Sequence, residues 1–277
     1  MLNRASKPFV KLVERYLPDP YIFVLLLTLI TFAFAVVIQN QPPLTTIQQW
    51  GDGFWGLLTF SMQMLLVLVT GFMLACTPLV KALLERLASV AKSPGSAIVL
   101  VTFVSLIASW INWGFGLVVG ALFAKALARK VTVDYRLLVA SAYSGFIVWH
   151  GGLAGSVPLT IATPGHFSEA QIGVVSTSET IFSGFNLLLL AIMFVVIPLV
   201  NRLMLPPKSE SVIVDSTKLQ DDALPSAENE RPADKLENSK ALGLLVGFAG
   251  LAYLTNYFVS GGGLNLNIVN TLFLFLA

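Results

Sequence analysis

The chain has 277 residues, 56% of them hydrophobic and 12% charged, about half the charged share of an average soluble domain, and a formal net charge of +2. Those values exclude a soluble globular domain and give no reason to expect a nucleic-acid partner. The single cysteine, Cys76, excludes an internal disulfide and any cysteine metal cluster.

The apolar windows are too long for barrel strands and lack alternating polarity, so the sequence reads as an all-α polytopic membrane protein. In chain order, residues 7–17, KPFVKLVERYL, set apolar residues at three and four spacing against charges, as a helix lying on a membrane surface does. The first span covers 21–38, with Asp19 and Pro20 as N-cap and first helical residue. It follows a basic N-terminus, but it is too long for a signal peptide and lacks a small-residue cleavage site. A connection at 39–53 leads to a second span, 54–75. Thr77 and Pro78 then open a second surface helix, 78–92.

All 17 Lys and Arg residues fall in four stretches, 4–15, 81–92, 125–136 and 202–240, while 39–53 and 164–180 hold none. The positive-inside rule puts the four basic stretches, and with them the N-terminus, in the cytoplasm. Spans at about 137–163, 181–200 and 241–259 complete an alternating path. Residues 96–128 do not fit it, because both their ends are basic. As one helix they would measure about 50 Å, too long for one crossing and too short for two. A re-entrant hairpin is expected instead, with its tip at 110–116 in SWINWGFGLVVG, where glycines permit the turn.

The next span is interrupted as well, in VWHGGLAGSVPLTIATPG at 148–165. Non-helical backbone at membrane depth is tolerated where it is buried in protein or lines a cavity, and transporter sites are built from such broken helices. Residues 205–240, polar and proline-punctuated with charges of both signs, read as a largely disordered cytoplasmic linker. The domain reading is therefore 1–204 as a first membrane repeat, 205–240 as linker and 241–277 as the start of a second repeat.

PDPYIFVLLLTLITF at 18–32, WGDGFW at 50–55, INWGFGLVVGALFA at 111–124, GSVPLTIATPGH at 155–166 and TIFSGFN at 180–186 together resemble the bacterial short-chain fatty acid transporter family. The resemblance runs in the same order through essentially the whole chain. It implies secondary transport of short-chain monocarboxylates such as acetoacetate or butyrate across the bacterial inner membrane. It also implies an ion-transporter-superfamily-like bundle of two inverted repeats, each with a re-entrant hairpin, and it admits a homodimer. Family members are considerably longer, so the chain is expected to be an N-terminal portion with half of the site. A channel, a structural membrane subunit or an inactive fragment are the alternatives. No enzymatic activity, cofactor or bound metal is expected; Ser156 with His150 is the one pair a hydrolase could use, and AGSVP lacks the GxSxG pattern.

Asn112 is the leading site candidate, since its amide can donate to a carboxylate or coordinate a cation through its oxygen. The competing reading is interhelical bonding, worth about 0.6 kcal/mol per contact, which leaves the neighbouring Gly114 and Gly116 unexplained. Trp113, with Trp110, would line an alkyl chain or pack, and Gly116 with Gly120 forms a GxxxG suited to close helix contact. Ser156 and Thr163 offer hydroxyls at the second break, whereas Thr160 is expected to bond a freed backbone carbonyl. Ser183 and Asn186 sit one turn apart and face the same cavity. His150 is a candidate proton relay, and His166 and Glu179 read as loop. No Lys or Arg lies within a span to neutralise a carboxylate. Helix N-termini, hydrogen bonds and a co-bound cation, H+ or Na+, are expected to do so together.

Overall fold

The computed structural model describes residues 2–53, 55–219 and 239–276, and among them holds helices and no strand. Among the described residues, six helices are long and apolar enough to cross a membrane: Pro20–Val37, Leu58–Ala75, Pro94–Ile111, Tyr135–Ile161, Gly184–Leu203 and Lys240–Val259. This is a polytopic α-helical membrane protein. Its contacts divide the chain into two units, 1–62 and 63–277.

The first unit contains α1 (Leu2–Tyr16), α2 (Pro20–Val37) and α3 (Pro43–Gly53). Asp19 caps α2 as its sequence suggests, its Oδ1 accepting from Tyr21 N at 2.8 Å. No residue of α2 is buried; Leu27, Leu29 and Phe34 all point outward. Residues 39–53, expected as a plain connection, contain α3 instead. Pro43 occupies its first turn, where a missing N–H costs nothing, and Thr46 Oγ1 donates to Pro42 O at 3.1 Å. Between α2 and α3 lies an apolar cavity of about 730 Å³ lined by Leu27, Phe32 and Trp50.

The helix α4 (Leu58–Ala75) starts at the end of the first unit and continues into the second, which holds α5 (Pro78–Ala88), α6 (Pro94–Ile111), α7 (Trp113–Lys130), α8 (Tyr135–Ser144), a 3-10 segment Gly145–Gly151, α9 (Ser156–Ile161), α10 (Glu169–Ile172), α11 (Gly184–Leu203), α12 (Lys240–Val259) and α13 (Leu266–Leu276). Thr77 caps α5, and a reciprocal Ser93–Ser96 capping box opens α6.

The core of this unit is the antiparallel hairpin of α6 and α7. Each arm has 18 residues, about 27 Å of helix, close to the hydrocarbon thickness of a bilayer. Small residues let the arms approach. A Cβ on Gly116 would lie 2.5 Å from Ser109 N, and one on Gly120 would lie 3.0 Å from Ser105 Oγ, so contacts step forward along one arm as they step back along the other. Ile98, Val101, Phe123, Leu127 and Leu138 fill the space between the arms and α8. Gly145 lets the end of α8 rest on Ser105, whose hydroxyl donates to Ala142 O at 2.5 Å. Asn201 ties α11 to this centre: its Nδ2 donates to Thr102 Oγ1 at 3.0 Å and to Ser144 Oγ at 2.7 Å.

At the open end of the hairpin the charges gather. Glu85 on α5 pairs with Arg129 at 2.5 Å and Lys130 at 3.1 Å. Burial pushes the Glu85 carboxyl up, but the bonds from those two cations outweigh it and hold it below the usual carboxylate value. Asp134 caps α8 through Leu137 N at 2.9 Å, accepts from Val212 N at 2.7 Å and pairs with Arg136 at 3.0 Å. Burial pushes its carboxyl up too, and the bonds from Arg136, Val212 and Leu137 bring it below the usual value.

These contacts fix part of the expected linker. Of 205–240, residues 220–238 lie outside the described residues. The stretch up to 219 lies against the hairpin base: Tyr135 N donates to Val212 O at 2.9 Å, and Arg129 Nη1 to Leu219 O at 2.8 Å. Buried Asp134 and half-buried Arg129 thus each bond a backbone group of 205–219.

Candidate functional site

At the closed end of the hairpin one residue separates two helices. Asn112 adopts an extended backbone, φ −155° and ψ 127°, which ends α6 and starts α7. Its N–H donates to Ala108 O at 2.9 Å, its carbonyl accepts from Gly116 N at 2.8 Å, and its Oδ1 accepts from Phe115 N at 2.9 Å. Backbone and side-chain oxygen thus satisfy both helix ends. The side-chain NH2 is left over. Asn112 is 0% exposed and its Nδ2 has no partner.

The tip is enclosed by close backbone contacts. A Cβ on Gly71 of α4 would lie 2.5 Å from Phe115 N, and one on Gly114 would lie 2.8 Å from Leu68 Cα, so α4 crosses directly over the turn. On the other side the broken segment after α8 reaches the tip, with Leu153 N donating to Trp110 O at 2.7 Å. Gly152 sits on the Trp110 backbone where no Cβ fits. The glycines Gly114 and Gly116 are therefore occupied by helix contacts.

Beside the tip stands an aromatic group. The Trp113 ring meets Trp149 edge-on at 5.8 Å and Phe146 at 6.4 Å, and Phe146 and Trp149 stack at 5.0 Å. Trp113 belongs to an apolar cluster with Ile111, Leu153, Ala154, Leu159, Ile181, Leu266 and Phe273. Trp113 Nε1 and Ser156 Oγ, like Asn112 Nδ2, are buried without a partner. Leaving such a group unpaired costs about 1–3 kcal/mol, so several in one region amount to an unmet demand for hydrogen bonds.

The remaining residues singled out in the sequence spend their polar groups on the protein itself. Thr163 Oγ1 donates to Leu159 O at 2.6 Å and accepts from Leu266 N at 3.1 Å, fixing the start of α13. Ser183 caps α11, accepting from Asn186 N at 3.3 Å and donating to Thr180 O at 2.8 Å. Asn186 Nδ2 donates to Gly151 O at 3.0 Å and Ile181 O at 2.7 Å, and so props the broken segment. Thr160 bonds a backbone carbonyl, Ser156 O at 2.6 Å, as expected of it. His150 is exposed with its ring 3.7 Å from that of Trp149. His166 lies in a loop, its Nε2 3.0 Å from Gly173 O.

Sequence reading missed Asn270. It lies on the buried face of α13 beside Val269, is 9% exposed, and its Oδ1 has no partner. The signal was present: an asparagine inside the apolar run NIVNTLFLFL is the same kind of anomaly that marks Asn112. Asn201, with its two interhelical bonds, was missed for want of any local break.

Across residues 1–277 the chain matches the family described as "Short chain fatty acid transporter". It is 45% identical over 281 residues to a protein of Escherichia coli (strain K12), an alignment covering 99% of this chain and 63% of that protein. It is 41% identical over 286 residues to one of Haemophilus influenzae (strain ATCC 51907 / DSM 11121 / KW20 / Rd), covering 99% and 64%. Both carry the name "Putative short-chain fatty acid transporter". The chain thus spans just under two thirds of the length of these curated relatives. No solved structure matches it. With the match running over the whole of the chain, the protein belongs to the short-chain fatty acid transporter family.

Proposed function

We propose that the protein carries short-chain fatty acids such as acetoacetate or butyrate across the bacterial inner membrane, as a cation-coupled secondary transporter rather than an enzyme. Its N-terminus lies in the cytoplasm, α6 and α7 enter the membrane and return to the same side, and residues 1–204 form the first of two inverted repeats, with 241–277 starting the second. The acid binds at the hairpin tip. The observation that carries this reading is the buried, unpartnered Nδ2 of Asn112, with Trp113 Nε1 beside it in sequence.

The chemistry fits a small carboxylic acid. Both groups only donate, as a carboxyl oxygen requires, and the N-terminus of the 18-residue α7 adds a favourable dipole. The Trp113, Phe146 and Trp149 rings offer an apolar wall for a short alkyl chain. A full charge at membrane depth costs about 2.5–3.5 kcal/mol on insertion scales, more than one helix end returns, so a cation, H+ or Na+, travels with the acid. Transport proceeds by movement of the hairpin bundle against the surrounding scaffold.

Asn112→Asp separates the cap from the ligand contact. One carboxylate oxygen keeps the bond to Phe115 N, while the donor is lost. Uptake of labelled butyrate into proteoliposomes under an imposed ion gradient should fall at least tenfold in this variant, read on protein that stays monodisperse despite the about 2.5–3.5 kcal/mol a carboxylate costs at membrane depth. Undiminished uptake would remove the tip from the site.

A further inference from the structure

Besides the hydroxyls of Ser109 and Ser141, which lie within the packed helices, four buried polar side-chain atoms among the described residues lack a partner, and they are not all of one kind. Asn112 Nδ2 and Trp113 Nε1 can only donate, Ser156 Oγ can donate or accept, and Asn270 Oδ1 can only accept. Apolar neighbours of all four meet in one cluster. Ile111 and Trp113 flank Asn112, Ala154 and Leu159 bracket Ser156, and Leu266, Val269 and Phe273 share the buried face of α13 with Asn270; those seven residues form a single apolar cluster. The start of α13 is held there by Leu266 N on Thr163 Oγ1 at 3.1 Å and by Gln63 Nε2 on Asn267 Oδ1 at 2.7 Å.

A carboxylate has only acceptors. It would answer Asn112 and Trp113 and set an anionic oxygen toward the Asn270 oxygen, which repels it. An uncharged carboxylic acid has one carbonyl and one O–H, and so meets donors and acceptor alike. We propose that the site takes the acid in its protonated form, the carbonyl accepting from Asn112 and Trp113 and the O–H donating to Asn270 Oδ1. This rests on the tip being the acid's site. The proton that accompanies transport then enters on the ligand itself, and no side chain has to titrate.

The surroundings agree. None of α4, α6, α9 or α13 contains Asp, Glu, Lys or Arg. The cations of α7, Lys125, Arg129 and Lys130, lie in its last two turns, and Arg202 lies at the far end of α11. The titratable groups of the neighbouring segments include His150, exposed against Trp149, Tyr143, stacked on Phe146, Glu179, exposed two residues before Ile181, and Tyr257, whose hydroxyl accepts from Asn265 Nδ2 at 3.1 Å beside the start of α13.

The test compares butyrate with butyramide, which is neutral at every pH used and carries both a carbonyl and an N–H donor, by titration calorimetry on the purified protein between pH 5.5 and about 7.5. Because a free carboxyl titrates near about 4.3, the protonated fraction falls tenfold per pH unit across this range. The apparent Kd of butyrate should rise tenfold per unit while that of butyramide stays flat. Asn270→Leu should weaken both, and His150→Gln should leave the slope intact. A butyrate Kd independent of pH that still rises in Asn112→Asp would overturn the protonated form and leave the site standing. A slope that disappears in His150→Gln would move the proton to the imidazole and overturn it equally. Indifference of both ligands to Asn112→Asp would sink the site itself.

Discussion

Helices α2 and α6 have the same length, 18 residues, and both are apolar enough to span a membrane, yet none of the α2 window is buried while 44% of the α6 window is. The more apolar of the two is the one with no buried residue. Their side chains explain it. Along PYIFVLLLTLITFAFAVV nearly every residue is large, and lipid tails solvate Leu and Phe as well as another helix does. PGSAIVLVTFVSLIASWI interleaves Ser, Ala, Gly and Thr among the large residues. Those small residues bring α7, α8 and α11 within backbone distance, and the hydroxyls bond across. In this protein apolarity decides which segments enter the membrane, and smallness with polarity decides which of them pack.

If that is right, the largest effect should come from filling the tightest contact. Gly116→Leu would drive a side chain into the Ser109 backbone, and should cost about 3 kcal/mol or more, read as loss of monodisperse protein in detergent or a large fall in melting temperature. A smaller loss, about 1 kcal/mol, is expected for Asn201→Leu, which removes both interhelical bonds of α11 while preserving bulk. Equal stability of that variant and the parent would show that polar bonds contribute nothing to the packed helices.

The base of the hairpin gives the pH counterpart. Asp134 has a folded pKa below its unfolded value of 3.8, so its contribution is complete above that value and is lost as pH falls through the lower, folded one. Limited proteolysis with an acid-active protease should therefore begin to cut 205–219 only below about pH 4, and Asp134→Asn should expose the segment at neutral pH. The smallest effect belongs to α2: Leu27→Ala, at a side chain 60% exposed, should stay within about 0.5 kcal/mol of the parent. A loss of several times that would show that Leu27 is packed as tightly as a residue of α6 and dissolve the contrast.

The features legible in the sequence were those written locally. Asn112 with its glycines announced a break inside an apolar run, and the turn falls there; Asp19, Thr77 and their prolines announced helix starts. What stayed hidden depends on partners far along the chain. Asp134 reads as an ordinary N-cap until Val212, 78 residues later, donates to it. Thr163 holds Leu266 across 103 residues. No periodicity encodes such pairs, because each is settled by how helices stack. The helix α3 was hidden for a different reason: WGDG looks like punctuation, and two glycines near a helix end are tolerated once Pro43 has set the first turn.

The single-residue turn at Asn112 also has a mechanical side. With one amino acid joining the arms and Ser105 and Ser109 seated against Gly120 and Gly116, neither arm can slide past the other without driving backbone into backbone. A stroke that moves the tip must carry the two arms as one rigid lever. Its pivots are then the non-helical joints at Lys92 to Ser93 and Val131 to Asp134, far from the atoms that would hold the cargo.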